Sequence, residues 1–164
     1  MFEGEGGDYP YLLYPYLGAS LSDGRGANQP WLQEAPDPMT TASWYTWVEI
    51  NPETAEELGL DHSDVVKVES PFGYIDAIVY VYPAIRPDVV AVPVGEGHSE
   101  YGRFAAGYGA NVFSILPPQS SGGQWPWAST RVRLTRLDRE TVLPRIENNI
   151  GVKSAREAGQ IPLR

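Results

Sequence analysis

At 164 residues the chain is long enough for one domain with a real core and too short for two well-filled ones. It has no cysteine, which excludes disulfides, thiolate nucleophiles, zinc ribbons and cysteine-ligated iron–sulfur clusters within it. A net charge of −9 argues against a nucleic-acid partner, whose phosphates require a basic face.

Tyr11–Tyr14 is an aromatic and aliphatic run between prolines and reads as a first strand, leading to the loop Ser20–Pro30. That loop holds Asp23-Gly24-Arg25-Gly26-Ala27-Asn28, where two glycines permit close backbone approach and Arg and Asn offer donors. Trp44–Ile50 alternates as a strand, with Trp44, Thr46, Val48 and Ile50 on one side and Tyr45, Trp47 and Glu49 on the other. Asn51-Pro52-Glu53 then starts a helix: Asn caps free N–H groups, Pro takes the first helical position and Glu complements the dipole. Ala55 and Leu58 form its apolar side, Glu53, Glu56 and Glu57 its wet face, and Gly59 ends it. His62 falls in the polar stretch Leu60–Asp64 and reads as a solvated surface residue.

Val65–Val68 is the next strand, and Ser70-Pro71-Phe72-Gly73 turns into Tyr74–Tyr82, whose Ile75, Ala77, Val79 and Val81 share a face. Pro83–Asp88 is a loop fixed by two prolines, and Val89–Val94 is apolar enough for a strand buried on both faces. Gly95–Asn111 carries five glycines among polar and aromatic residues and suits neither strand nor helix. Val112–Leu116 resumes apolar character, Pro117–Gly123 is a loop, and Thr130–Leu134 alternates as a last strand with Arg131 and Arg133 outward. From Asp138 the chain is polar and basic, with a short helix near Ser154–Gly159. Five or six short strands, one or two short helices and long loops describe a mainly β domain, a small barrel in preference to a layered α/β fold.

An enzyme acting alone needs a nucleophile, an acid/base pair or a metal set. The two histidines are far apart in sequence and no Gly-x-Ser-x-Gly elbow exists. Gly95-Glu96-Gly97 starts like a dinucleotide fingerprint, but position 100 is Glu and no helix opens at Gly102, which excludes a Rossmann motif. What remains is a strand ending in a glycine-rich loop that also holds His98, Tyr101, Arg103 and Asn111. Backbone N–H groups, an Arg and an Asn amide suit a pterin ring or a diphosphate, which present many acceptors. Trp31, Trp44, Trp47, Trp125 and Trp127 read as core or interface residues in preference to a stacking platform.

Charge is unevenly spread: residues 1–100 hold 3 Lys/Arg against 17 Asp/Glu, and residues 101–164 hold 9 against 4. The basic second half faces either an anionic ligand, an acidic neighbour or plain solvent. No apolar run approaches the roughly 20 residues of a membrane helix, and the acidic first ten residues are unlike a signal peptide, so a soluble domain is expected.

Asp23-Gly24-Arg25-Gly26-Ala27-Asn28-Gln29-Pro30-Trp31-Leu32-Gln33-Glu34, Trp47–Ala55 with Leu58-Gly59-Leu60, and Asp64–Gly73 together resemble the C-terminal, molybdopterin dinucleotide-binding domain of the dimethyl-sulfoxide-reductase superfamily. Tyr82-Pro83-Ala84-Ile85-Arg86-Pro87-Asp88 and Gly95–Arg103 resemble its polysulfide or thiosulfate reductase branch, which includes the related subunit of alternative complex III. The resemblance runs from about Tyr9 to Leu137, and Arg156-Glu157-Ala158 with Ile161-Pro162-Leu163 is similar to the end of such chains. It implies a double-psi β-barrel of the aspartate-decarboxylase-like kind over residues 1–137, with 138–164 as a polar C-terminal extension. It also implies that the barrel closes over a pyranopterin, with Gly95, Gly97, His98, Tyr101, Gly102, Arg103 and Asn111 toward the cofactor and Asp23, Arg25, Asn28 and Gln33 contributing from the early loop. The family prefers Gly where this chain has Ser63.

On that resemblance the chain is a cofactor-binding domain or small subunit of a molybdopterin guanine dinucleotide oxidoreductase, carrying molybdenum or tungsten. It is not catalytic alone: the iron–sulfur cysteines and the metal-ligating residue belong to a larger catalytic chain, joined by iron–sulfur and membrane-anchor subunits. Met1 and the family-like C-terminus suggest a separate gene product, with a fragment as the alternative. The rival function is a cofactor-free structural domain in the molybdoenzyme-like iron–sulfur subunit of alternative complex III, serving quinol oxidation. A free-standing self-processing decarboxylase lacks a Gly-Ser site in a convincing context. The side of the membrane stays open, and export would depend on a partner's signal.

Overall fold

The computed structural model describes residues 4, 6–118 and 127–146. Six strands, β1 (Tyr11–Leu17), β2 (Trp47–Ile50), β3 (Asp64–Ser70), β4 (Gly73–Val81), β5 (Val89–Val94) and β6 (Arg131–Glu140), close into a barrel in the order β1-β5-β2-β4-β3-β6. β1 with β5 and β2 with β4 run parallel, and the other neighbours antiparallel. Two short helices, α1 (Pro30–Glu34) and α2 (Pro52–Leu58), and a 3₁₀ turn at Val112–Ile115 complete the domain.

The barrel interior is built by period-2 alternation. Val48, Val66, Val68, Val79, Val90, Val92, Val132 and Ile50 are all fully buried in one cluster, with Ile75 and Ala77 from the same face of β4. β-branched side chains suit this setting because their χ1 is already restricted in a strand. Pro15 is tolerated inside β1 for a specific reason. Leu12 N–H donates to Asp88 of the β5 side and Leu13 N–H to Thr130 of the β6 side, so the nitrogen of Pro15 points toward β6. Pairing with β6 there has already ended at Tyr11 and Leu12.

α2 forms as its sequence dictates: the Asn51 side chain accepts from Glu53 N–H at 2.8 Å, Pro52 occupies the first turn, and Gly59 closes the helix at φ +64°. Glu53, Glu56 and Glu57 face solvent. Ser63 sits at φ +75°, a left-handed conformation that costs any residue with a Cβ.

Several expectations change. β1 extends to Leu17, and α1 forms directly at the end of the expected loop Ser20–Pro30, with Pro30 supplying its first turn. β2 begins only at Trp47, because Trp44 sits at φ +68° and cannot continue a strand. β6 runs on to Glu140, beyond the expected Leu134. His62 is half-buried: its Nδ1 accepts from Val81 N–H at 3.3 Å and its ring packs edge-on against Tyr80, so burial and the nearby Arg145 charge lower its pKa. Of the tryptophans, Trp47 is core, Trp31 is exposed, Trp44 packs on Tyr108 and Trp127 on Phe113. Trp125, most of the expected Pro117–Gly123 loop and the expected helix near Ser154–Gly159 lie outside the described residues.

The charge asymmetry resolves into strand pairing. Arg133, Arg136 and Arg139 of β6 form ion pairs with Glu69 and Asp64 of β3 and Asp76 of β4. The basic strand thus has its acidic neighbour within the same barrel.

Candidate functional site

β1 and β5 run parallel and adjacent, so the loops that follow them emerge at the same end of the barrel. The early loop leaves Leu17 and the glycine loop leaves Val94. Two hydrogen bonds join them: Tyr101 Oη donates to the Arg25 carbonyl at 2.9 Å, and Phe104 N–H donates to Asn28 Oδ1 at 3.1 Å. His98 stacks on Tyr101 with ring centroids 5.1 Å apart.

Glycine is required at this junction by space as well as by conformation. A Cβ on Gly97 (φ +83°) would lie 2.0 Å from Asn111 N, and one on Gly102 (φ +98°) 2.3 Å from the Asn28 amide. Gly24 packs against the Gly95 carbonyl and His98 Nε2. Tyr101 itself is held at φ +92°, an unusual conformation for a bulky residue, and such strain persists only where surrounding contacts over-determine it.

The structure therefore brings together Gly95, Gly97, His98, Tyr101 and Gly102 with Arg25 and Asn28. Asn111 joins them through its backbone against Gly97, while its Oδ1 caps the 3₁₀ turn by accepting from Phe113 N–H at 3.1 Å. Arg103 is exposed, lies over the Phe104 ring and makes no ion pair among the described residues. Asp23 is exposed and paired with Arg25, which lowers the Asp23 pKa through that hydrogen bond. Gln33 stands apart. It is buried beneath the loops, where its Nε2 donates to the Ala27 carbonyl at 2.9 Å and to Glu96 Oε2 at 3.3 Å.

Residues 21–124 match the family described as Molydopterin dinucleotide binding domain. The chain belongs to that family. It is 31% identical over 105 residues to the arsenate respiratory reductase molybdopterin-containing subunit of a Shewanella species, covering 63% of this chain and 12% of that protein. It is 28% identical over 171 residues to a tetrathionate reductase subunit of Archaeoglobus fulgidus (94% of this chain, 14% of that protein). It is 26% identical over 129 residues to the menaquinone reductase molybdopterin-binding-like subunit of Nitratidesulfovibrio vulgaris (77% and 19%). Acetylene hydratase from Pelobacter acetylenicus shares the fold, with a TM-score of 0.62 at 17% identity over 80% of this chain and 19% of that one. The chain thus spans less than a fifth of the length of these relatives.

Two residues of this molybdopterin dinucleotide-binding domain escape sequence reasoning. Glu96, between two glycines, is buried, and desolvation pushes its carboxyl up to about 7, against a smaller lowering by the Gln33 hydrogen bond. Nothing in the sequence marks it, since Glu is ordinarily an exposed residue. Thr46 is buried, and its Oγ1 accepts from Ala110 N–H at 2.9 Å, fixing the far end of the glycine loop. Its inward place was readable from the alternation with Val48 and Ile50, its partner was not.

The joined loops suit an acceptor-rich group. They expose two guanidinium groups, Arg25 and Arg103, and an Asn amide. His98 Nε2 is buried at the same junction and has no hydrogen-bond partner among the described residues. Among the described residues no three His, Cys, Asp or Glu cluster to hold a metal ion, and no helix is long and apolar enough to cross a membrane.

Proposed function

We propose that this domain caps a molybdopterin guanine dinucleotide held jointly with a larger catalytic chain, contributing orientation and electrostatics to an oxidoreductase. The observation that carries the reading is the junction itself: Tyr101 to Arg25 and Phe104 to Asn28 weld the two loops into one face. That face is preorganised before any ligand arrives, which reduces the ordering cost of binding.

Arg25 and Arg103 would hold phosphate oxygens, Asn111 a ring or ribose oxygen, and the His98–Tyr101 stack would fix one edge of the face. The bound cofactor, with molybdenum or tungsten, would supply the redox chemistry, and the protein would tune and shield it. In this reading the domain is not catalytic alone. Iron–sulfur and membrane-anchor subunits complete a membrane-associated complex, and the closed six-stranded barrel is double-psi.

A second reading, a cofactor-free structural domain in an alternative complex III-type assembly, is favoured by the relative whose name says molybdopterin-binding-like. Elemental analysis of the native complex containing this chain separates the two. Stoichiometric molybdenum or tungsten, lost in a Gly97→Ala variant that keeps its barrel circular dichroism, is the expected result. Iron with neither metal overturns the capping role.

A further inference from the structure

The outward side of the barrel holds a cleft that shares no residue with the joined loops. One row of the sheet crosses three strands, with Tyr14 of β1 beside Ala91 of β5 and Ala91 beside Glu49 of β2. These positions point away from the interior, since their neighbours Leu13, Val90, Val92, Val48 and Ile50 fill the core. The small Ala91 between larger neighbours forms the floor of a cleft of about 840 Å³. Tyr14, Leu17 and Met39 line it and are 55%, 55% and 65% exposed, which is unusual for three large apolar residues in one place.

Two carboxylates also line this cleft. Glu49 is 8% exposed and Asp37 is 7% exposed. Glu49 Oε1 accepts from Tyr16 Oη at 2.5 Å and Trp47 Nε1 at 3.2 Å, and Asp37 Oδ1 accepts from Met39 N–H, Thr40 N–H and Thr40 Oγ1. In each case one oxygen is saturated, and the other accepts no hydrogen bond among the described residues. Tyr16 feels both groups: burial, the hydrogen bond to Glu49 and the charges of Glu49 and Asp37 raise its pKa, so it remains a donor. Among the described residues no Lys, Arg or His lines the cleft, and neither carboxylate is in an ion pair. Buried carboxylates ordinarily have a cationic partner, because desolvating an unpaired charge is costly.

We propose that the cleft seats an arginine or lysine side chain of a covering polypeptide, its cation on Glu49 and Asp37 and its apolar neighbours on Tyr14, Leu17 and Met39. Charge complementarity selects the basic residue. The aromatic walls suit it too, since a cation gains from the faces of tyrosine rings. A covering polypeptide is available in the relatives, where more than four-fifths of each protein lies outside the matched stretch.

The test is a titration of the full chain with acetyl-Leu-Arg-Leu-amide, followed by ¹H–¹⁵N spectra at the Trp47 indole and at the Ala91 and Met39 amides. These signals should shift with the arginine peptide and stay in place with its norleucine counterpart. Glu49→Gln should weaken binding by about tenfold, the loss expected for one charged hydrogen bond. Tyr14→Ser, an exposed change that leaves the fold intact, should weaken it less. Equal shifts with both peptides, or none, would overturn the proposal. So would sedimentation showing that a second copy of the chain fills the cleft. None of these readouts involves the cofactor, so the capping role stands or falls separately.

Discussion

The interior of the barrel and the loops at its end obey opposite rules. Inside, buried valines from five of the six strands meet with no buried charge and no left-handed residue among them. At the loop end, five residues with positive φ fall between Gly95 and Gly107, and buried polar groups such as Gln33 and Glu96 depend on one another. The difference shows where stability is located and where strain is tolerated. The interior stabilises the domain through apolar burial, which leaves enough margin for strain and buried polarity at the loop end.

The largest effect should come from the interior. Ile50→Ala removes a fully buried side chain from β2 and should cost about 2–5 kcal/mol in denaturant unfolding. The loops at the barrel end should keep their arrangement in the fraction that remains folded. A cost below about 1 kcal/mol would break the comparison, because it would mean that the stability resides in the loops.

Glu96→Gln is the next largest and sharpens the contrast through pH. The folded carboxyl titrates at about 7 against an ordinary value of 4.5, so the folded state holds its proton more tightly than the unfolded one. Stability is therefore highest when Glu96 is neutral and falls as pH rises from about 4.5 through 7, by about 2–3 kcal/mol in all. The other titratable residues lining the same small cavity are Asp37 and Tyr45; among the described residues no Lys or Arg lines it to hold the Glu96 charge. The Gln variant should lose this slope and exceed the native chain in melting temperature at pH 8. Parallel pH profiles for the two proteins would show that Glu96 is solvated and ionised like a surface residue.

Much of this architecture is legible in the sequence, and unevenly so. Ile75, Ala77 and Val79 announce an inward face by period 2, and Asn51-Pro52-Glu53 announces α2 by capping chemistry, because both signals are local. The five glycines of Gly95–Asn111 are legible as a loop, and the structure supplies a reason for two of them, since Gly97 and Gly102 stand where a Cβ has no room. The partners of those residues are not legible. Glu96 meets Gln33 across 63 positions and Tyr101 meets Arg25 across 76, and no local pattern encodes such distances. The same holds for the arginines of β6, whose register against β3 turns an apparent basic patch into ion pairs.

Arg25→Ala should have the smallest effect on the fold and is the most selective probe of the two regions. The Arg25 side chain is 88% exposed and, among the described residues, its hydrogen bonds and ion pair go to Asp23, two residues away, so water solvates it nearly as well without the pair. Its melting temperature should match that of the native chain at physiological salt. Its backbone, however, carries the carbonyl that accepts from Tyr101, and alanine preserves that bond. The substitution thus removes a charge from the face while leaving the junction welded. If the face binds a phosphate-bearing cofactor, retention of that cofactor by the native complex should fall in the variant, and more steeply at high salt, where the remaining guanidinium of Arg103 is screened. A variant that melts early would place Arg25 among the structural residues of the loop. One that melts normally and retains cofactor like the native chain would move the anion contact to Arg103 alone.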